Sequence, residues 1–150
     1  MTSRKLLKTV SFPAKSKPHM LRVSPDGKEV WVQTADTNTN VVLNADDLSV
    51  LSTEPTGKYP VTNAWTPDRR YSIVTNGQDT FAQIFDARTF KEVKRLTIGP
   101  GGTNIGFSKD GKTAFIAMTR ADAVVVIDVE KLALASQITA GKAPQGLIVR

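Results

Sequence analysis

Cysteine is absent from the 150-residue chain, which excludes disulfides, thiolate metal sites and a cysteine nucleophile. A disulfide-free chain suits reducing and oxidising compartments alike, so this absence says nothing about location. His19 is the single histidine, so no two-His or three-His metal site can be assembled within one chain. Long apolar runs are also missing. The longest, Ala123 to Ile127 and the equally long Ala114 to Met118, are far below the ~18 residues of a membrane span. The first residues alternate basic and apolar without the apolar stretch of an export signal. No window holds apolar residues at i, i+3 and i+4 for three turns, so no helix longer than about one turn is expected. Acidic residues are the minority charge, 14 Asp and Glu against 20 Lys and Arg for a net +6. That balance favours acidic partners or anionic surfaces at low salt. The basic residues are scattered, however, and no basic cluster is interleaved with aromatics, which argues against a nucleic-acid groove.

What the chain does have is a repeat. Ser24-Pro25-Asp26-Gly27-Lys28, Thr66-Pro67-Asp68-Arg69-Arg70 and Ser108-Lys109-Asp110-Gly111-Lys112 recur at steps of 42 residues. Pro at i+1, Asp at i+2 and Gly at i+3 suit a tight type I turn. Other features keep the same step: Leu6, Leu48, Phe90 and Leu132; Pro18, Pro60, Gly102 and Pro144; Asn44, Asp86 and Asp128. Between these markers lie short segments rich in β-branched and aromatic residues, such as Val30 to Thr34, Tyr71 to Asn76 and Ala123 to Val129. Four such strands per unit match a β-propeller blade, whose repeat is about 40–45 residues.

The expected fold is therefore all-β, a β-propeller of four-stranded antiparallel blades. It comprises an outer strand at 4–12, three full blades at about 19–60, 61–102 and 103–144, and one further inner strand at 145–150. Rings usually hold about 4–8 blades. The chain is thus expected to be a segment of a larger propeller, or to associate through open blade edges. Two departures from the repeat stand out. Arg69 replaces the turn glycine, so that turn either changes type or takes a positive φ, and Gly102 replaces the linker proline, which predicts a looser link.

Little in the sequence reads as catalytic. Gly99-Pro100-Gly101-Gly102 precedes a strand and not a helix, so it lacks the helix N-terminus that a phosphate loop needs. No serine sits in a nucleophile-elbow context, and Asp26, Asp68 and Asp110 are accounted for by turn chemistry. Trp31, Trp65, Phe85, Phe107 and Phe115 fall where the register also places Ile, Val or Leu, and are expected between blades. No catalytic residue, metal ligand or cofactor is assigned.

Taken together, the Gly57 and Pro60 link, the Thr66-Pro67-Asp68 turn, Ile73-Val74-Thr75-Asn76 and Ile84-Phe85-Asp86 resemble the YVTN family of β-propeller repeats. Trp31-Val32-Gln33-Thr34 and Val126-Ile127-Asp128 continue the likeness in the neighbouring units. The resemblance implies a ring of roughly seven blades and an extracytoplasmic setting, periplasmic or cell-surface. The family is similar to surface-layer propellers, lactonase-like enzymes, haem domains of nitrite reductases and quinoprotein dehydrogenases, so the fold alone does not choose a chemistry. The first expectation is a non-catalytic binding or scaffold propeller that meets a protein or a small molecule. The alternative is an enzyme or cofactor propeller of lactonase, haem or quinoprotein type.

The repeat also points to a face. In a propeller, the links into the inner strands and the loops between second and third strands gather at one mouth of the channel, opposite the Asp-Gly turns. The turns are nearly constant, but Asp36, Gln78 and Arg120 are register equivalents, as are Asn38, Thr80 and Asp122, and His19, Val61 and Thr103. A surface that fits one asymmetric partner has to diverge in this way. The candidate binding residues are therefore His19, Asp36, Tyr59, Gln78, Asp79, Arg120 and Asp122.

Overall fold

The computed structural model describes residues 5–147 and 149. Among these there is no helix, and twelve strands form three four-stranded antiparallel sheets. The first sheet holds β1 (Pro18–Val23), β2 (Glu29–Thr34), β3 (Thr39–Asn44) and β4 (Val50–Pro55). The second holds β5 (Pro60–Trp65), β6 (Tyr71–Asn76), β7 (Phe81–Asp86) and β8 (Glu92–Thr97), and the third β9 (Gly102–Phe107), β10 (Thr113–Met118), β11 (Ala123–Asp128) and β12 (Ala133–Thr139). Each sheet is a meander in chain order, and β5 lies beside both β1 and β9. The sheets are the blades of a partial propeller, with first strands innermost.

The repeated turns owe their shape to two side chains each. In the first, Ser24 Oγ donates to Asp26 Oδ1 at 2.8 Å and accepts from Glu29 N at 2.9 Å, while Gly27 N donates to Ser24 O at 2.9 Å. Thr66 with Asp68, and Ser108 with Asp110, repeat the pattern at 2.6 Å. The hydroxyl bonds hold Asp26 and Asp110 below the usual carboxylate range; at Asp68 burial pushes upward, and the Thr66 hydroxyl together with the Arg70 amide and charge outweighs it. Arg69 keeps the turn by accepting φ 59°, beside 77° at Gly27 and 73° at Gly111. The third-to-fourth-strand turns are capped by the strand-end residues: Asn44 Oδ1 accepts from Asp46 N at 2.8 Å and Asp86 Oδ1 from Thr89 N at 2.7 Å.

Two bulges also keep the 42-residue step. One skips a residue between Pro18 and Met20 and again between Pro60 and Thr62, with its equivalent at the start of β9. The other interrupts the third-to-fourth-strand ladder of every blade. A bulge re-aims the side chain it leaves unpaired, and in β1 and β5 those residues are His19 and Val61.

Packing between blades decides burial. The faces of the second and third sheets enclose Ile73, Ile84, Leu96, Ile105, Ile116, Val125 and Ile127. The first and second enclose Trp31, Val42, Val74 and Phe85, with Trp65 and Phe90 at the margin. Trp31 meets Trp65, Phe85 and Phe90 edge-on, with centroids 5.6–6.2 Å apart. Of the five aromatics expected between blades, Trp31 and Phe85 are fully buried and Trp65, Phe107 and Phe115 half-buried.

The flanking segments depart from expectation. Residues 5–12 form no strand, although Val10 and Phe12 pack on Val32, Val41 and Leu43 of the first blade. Residues 145–147 and 149 form none either, although Leu147 and Val149 lie against Gly106 of β9. Each segment sits where a neighbouring blade would place it, but no described strand offers it a ladder partner. Residues 4, 148 and 150, also included in those expected strands, lie outside the described residues.

Towards the loop end of the first interface the packing turns polar. Gln33 Nε2 donates to Asn40 Oδ1 at 2.9 Å and across the interface to Asn63 Oδ1 at 3.2 Å. Glu54, only 7% exposed, occupies the register position of Phe12, Leu96 and Ile138. It accepts from Ser52 Oγ at 2.5 Å and from Lys91 Nζ of the second blade at 2.6 Å. Burial pushes the Glu54 carboxyl up, and these two donors outweigh it to leave it below the usual range. The carboxylate of this pair is buried, and removing its partner leaves that charge uncompensated. Lys91→Ala is expected to lower stability by about 1–3 kcal/mol by stranding the carboxylate. Glu54→Leu, which restores the side chain of the next blade, is expected to be neutral or stabilising; urea denaturation of both variants checks the pair.

Candidate functional site

The strand-entry links share one backbone device. Lys17, Tyr59, Gly101 and Ala143 are 42 residues apart and all have positive φ, 49°, 55°, 85° and 48°. The first three offer their carbonyls to the residue that follows the second strand: Ala35 N, Gly77 N and Thr119 N donate to them at 2.8–2.9 Å. Each link is thereby locked onto the loop between second and third strands, and the loops are brought to one rim.

Acidic and amide side chains complete the lock. Asn38 Oδ1 accepts from Tyr59 N at 2.9 Å, Asp122 Oδ1 from Ala143 N at 2.9 Å, and Asp79 Oδ2 from Lys58 N at 2.8 Å. Asp36 faces Lys17, with Nζ and Oδ1 3.8 Å apart. Asp36, Asp79 and Asp122 thus hold links and loops, and none of the three lines the cavity described next.

That cavity, of about 560 Å³, opens at the channel mouth. His19, Tyr59, Gln78 and Arg120 line it, four of the seven candidates from the sequence. With them stand Met20, Arg22, Thr103, Asn104 and Thr119, which sequence reasoning did not select. The His19 and Tyr59 rings meet edge-on at 5.2 Å, and Lys17 Nζ lies 5.1 Å from the Tyr59 centroid. His19 Nδ1 is 3.2 Å from Val61 O, a side-chain-to-backbone contact that joins the first two blades and orients the ring. Arg22 Nε donates to Thr62 Oγ1 at 3.2 Å across the same interface. One signal for Arg22 was available: it is the one Lys, Arg, Asp or Glu among the residues of β1, β5 and β9.

The third link corrects the expectation of looseness. Gly101 and Gly102 are both buried, and a Cβ on Gly101 would stand 2.7 Å from Arg120 N. Without a side chain there, the loop that carries Arg120 closes onto the rim. Gly101→Ala is therefore expected to cost about 1–3 kcal/mol through φ strain and this collision. At Gly141 an added Cβ meets nothing within 4 Å and φ is not positive, so Gly141→Ala is expected to change little. Thermal denaturation of the two variants separates these outcomes.

No protein-family model matches the sequence, and no curated protein matches it. Solved structures do, and they are β-propeller proteins. Hydrazine synthase of Kuenenia stuttgartiensis superposes with a TM-score of 0.82 at 23% identity, over 94% of this chain and 41% of that one. The periplasmic gluconolactonase PpgL of Pseudomonas aeruginosa gives 0.73 at 20%, over 91% and 43%. The WD40 repeats of RRP9 give 0.77 at 12%, over 86% and 40%. The chain is thus a partial all-β propeller that spans about two fifths of the length of each of these structures. At such identities the likeness fixes the fold alone, and its bearers include both an enzyme and a repeat scaffold.

Proposed function

We propose that this chain is a binding module whose site is the channel mouth, with no catalytic group of its own. The observation that carries the reading is the contrast between the two faces. The Asp-Gly turns repeat almost unchanged, whereas register equivalents at the mouth differ in every blade, and His19, Tyr59, Gln78 and Arg120 converge on one cavity. The volume is that of a small-molecule site. The lining also holds no carboxylate, serine or cysteine, which supports a site without a nucleophile and base pair.

In this reading the chain is part of a larger ring, consistent with a YVTN-type propeller of roughly seven blades in an extracytoplasmic setting. Leu21 and Val23 of β1, on the face opposite Arg22, are apolar and exposed, which supports a further blade or a second copy against that side. A lactonase-type activity is the rival reading, favoured by the gluconolactonase among the structural neighbours. Turnover of a simple lactone panel would replace the binding-module reading with that one.

The direct test is a saturation-transfer NMR screen of a metabolite library, with hits mapped by amide shifts. Hits are expected at the mouth, weakened at least fivefold by Tyr59→Ala or Arg120→Ala and unchanged by alanine at Lys28, Arg70 or Lys112. The reverse pattern would put the site on the turn face.

A further inference from the structure

The mouth is unusual in its charge. Its lining carries two guanidinium groups, Arg22 and Arg120, and no carboxylate. Neither arginine has an acidic partner within 4.0 Å among the described residues. Some cations elsewhere do have counter-ions, Lys91 with Glu54 at 2.6 Å, Arg95 with Glu92 at 2.9 Å and, at the same rim, Lys17 with Asp36 at 3.8 Å, and of those without one Arg22 is distinguished by its place on an inner strand.

Arg22 is the more telling of the two. It projects from an inner strand, is half-buried, and stands in register with Ala64 and Gly106, so only one blade puts a charge at that level. Its Nε is engaged by Thr62, and among the described residues no acceptor within hydrogen-bond distance takes its two terminal amino groups. A guanidinium stays charged at every accessible pH and presents a fork of donors matched to carboxylate and phosphate oxygens. Partial burial weakens its hydration, so a bound anion replaces what the protein does not provide. Further donors converge there. Among the described residues the Gln78 amide and the Tyr59 hydroxyl make no side-chain hydrogen bond, and Asn104 uses only Oδ1, which accepts from Ile105 N at 2.9 Å.

We infer that the channel mouth binds a small organic anion whose carboxylate or phosphate oxygens are held by Arg22 and Arg120. The inference rests on the channel-mouth reading above and adds the ligand class. An extended polyanion fits less well, because the neighbouring rim cation Lys17 already faces Asp36.

The test is a ¹H–¹⁵N NMR titration of the chain with inorganic phosphate and with citrate, at ionic strength fixed with sodium chloride and with glucose as a neutral control. At least one anion is expected to give saturable shifts at Gln78, Gly101, Thr103 and Thr119. Response to citrate alone assigns a carboxylate ligand, and to phosphate alone a phosphate ligand. Arg22→Gln and Arg120→Gln are each expected to weaken binding tenfold or more, with Lys28→Gln and Lys112→Gln unchanged. Because Arg22 also bonds Thr62, Arg22→Lys serves as the second variant. It keeps the charge, and is expected to lose less than Arg22→Gln. The inference is overturned if neither anion saturates at these amides, or if the Gln variants respond like the wild type. Glucose shifting the same amides where the anions do not would refute the ligand class and leave the mouth as the site. Saturation at the Asp-Gly turns instead would refute both.

Discussion

Every blade has two apolar faces, and a four-stranded sheet cannot cover either by itself. Face-to-face burial of one blade on the next is therefore the interaction on which the rest depends. The burial patterns follow it. The second blade has a neighbour on each side, and β6 and β7 are buried at nearly every position. In the third blade β11 alternates between buried and half-buried, the signature of one covered face. Fourth strands are mostly exposed in all three blades because they lie at the rim of the interface. At about 25 cal/mol per Å² of apolar surface removed from water, a buried isoleucine such as Ile84 or Ile116 contributes on the order of 2 kcal/mol, and a blade alone would forfeit most of that.

The packing also separates what may vary from what must repeat. The Asp-Gly turns close the hairpins that set each sheet, so the hydroxyl, carboxylate and positive-φ residue recur. At the other end the loops are held by backbone bonds from the link carbonyls and by Asn38, Asp79 and Asp122, so the remaining side chains there are released from a structural task. Tyr59 shows both roles: its backbone is pinned between Asn38 and Gly77, and its ring faces the cavity. Chemistry can change there without disturbing a blade.

The architecture was legible because the 42-residue register ties markers of different kinds together, and a repeated Pro, Asp or Gly has a local cause that one sequence displays. Features set by contacts between repeats were harder to see. Glu54 stands at a core position and is tolerable only because Lys91 reaches it from another blade. The loss of proline at Gly102 suggested slack, yet Gly101 and Gly102 are tightly packed, because the constraint comes from Arg120 across the rim. The flanking segments carry the right side chains but no ladder, since strand pairing needs a partner that residue pattern alone does not supply. Of the cavity lining, the loop residues Gln78 and Arg120 were selected through divergence between equivalents. Arg22 was missed because it lies inside a strand, where comparison of loops does not look. Asp36, Asp79 and Asp122 diverge as well, but for the different task of holding links and loops.

Amide hydrogen exchange tests most directly whether packing between blades holds the molecule together. If it does, the amides of β6 and β7 in the second blade exchange most slowly and together, while β1, β12 and the fourth strands exchange faster. Protection equal in all three blades, or greatest in the first or third, would contradict that account and show that each blade is stable without its neighbours.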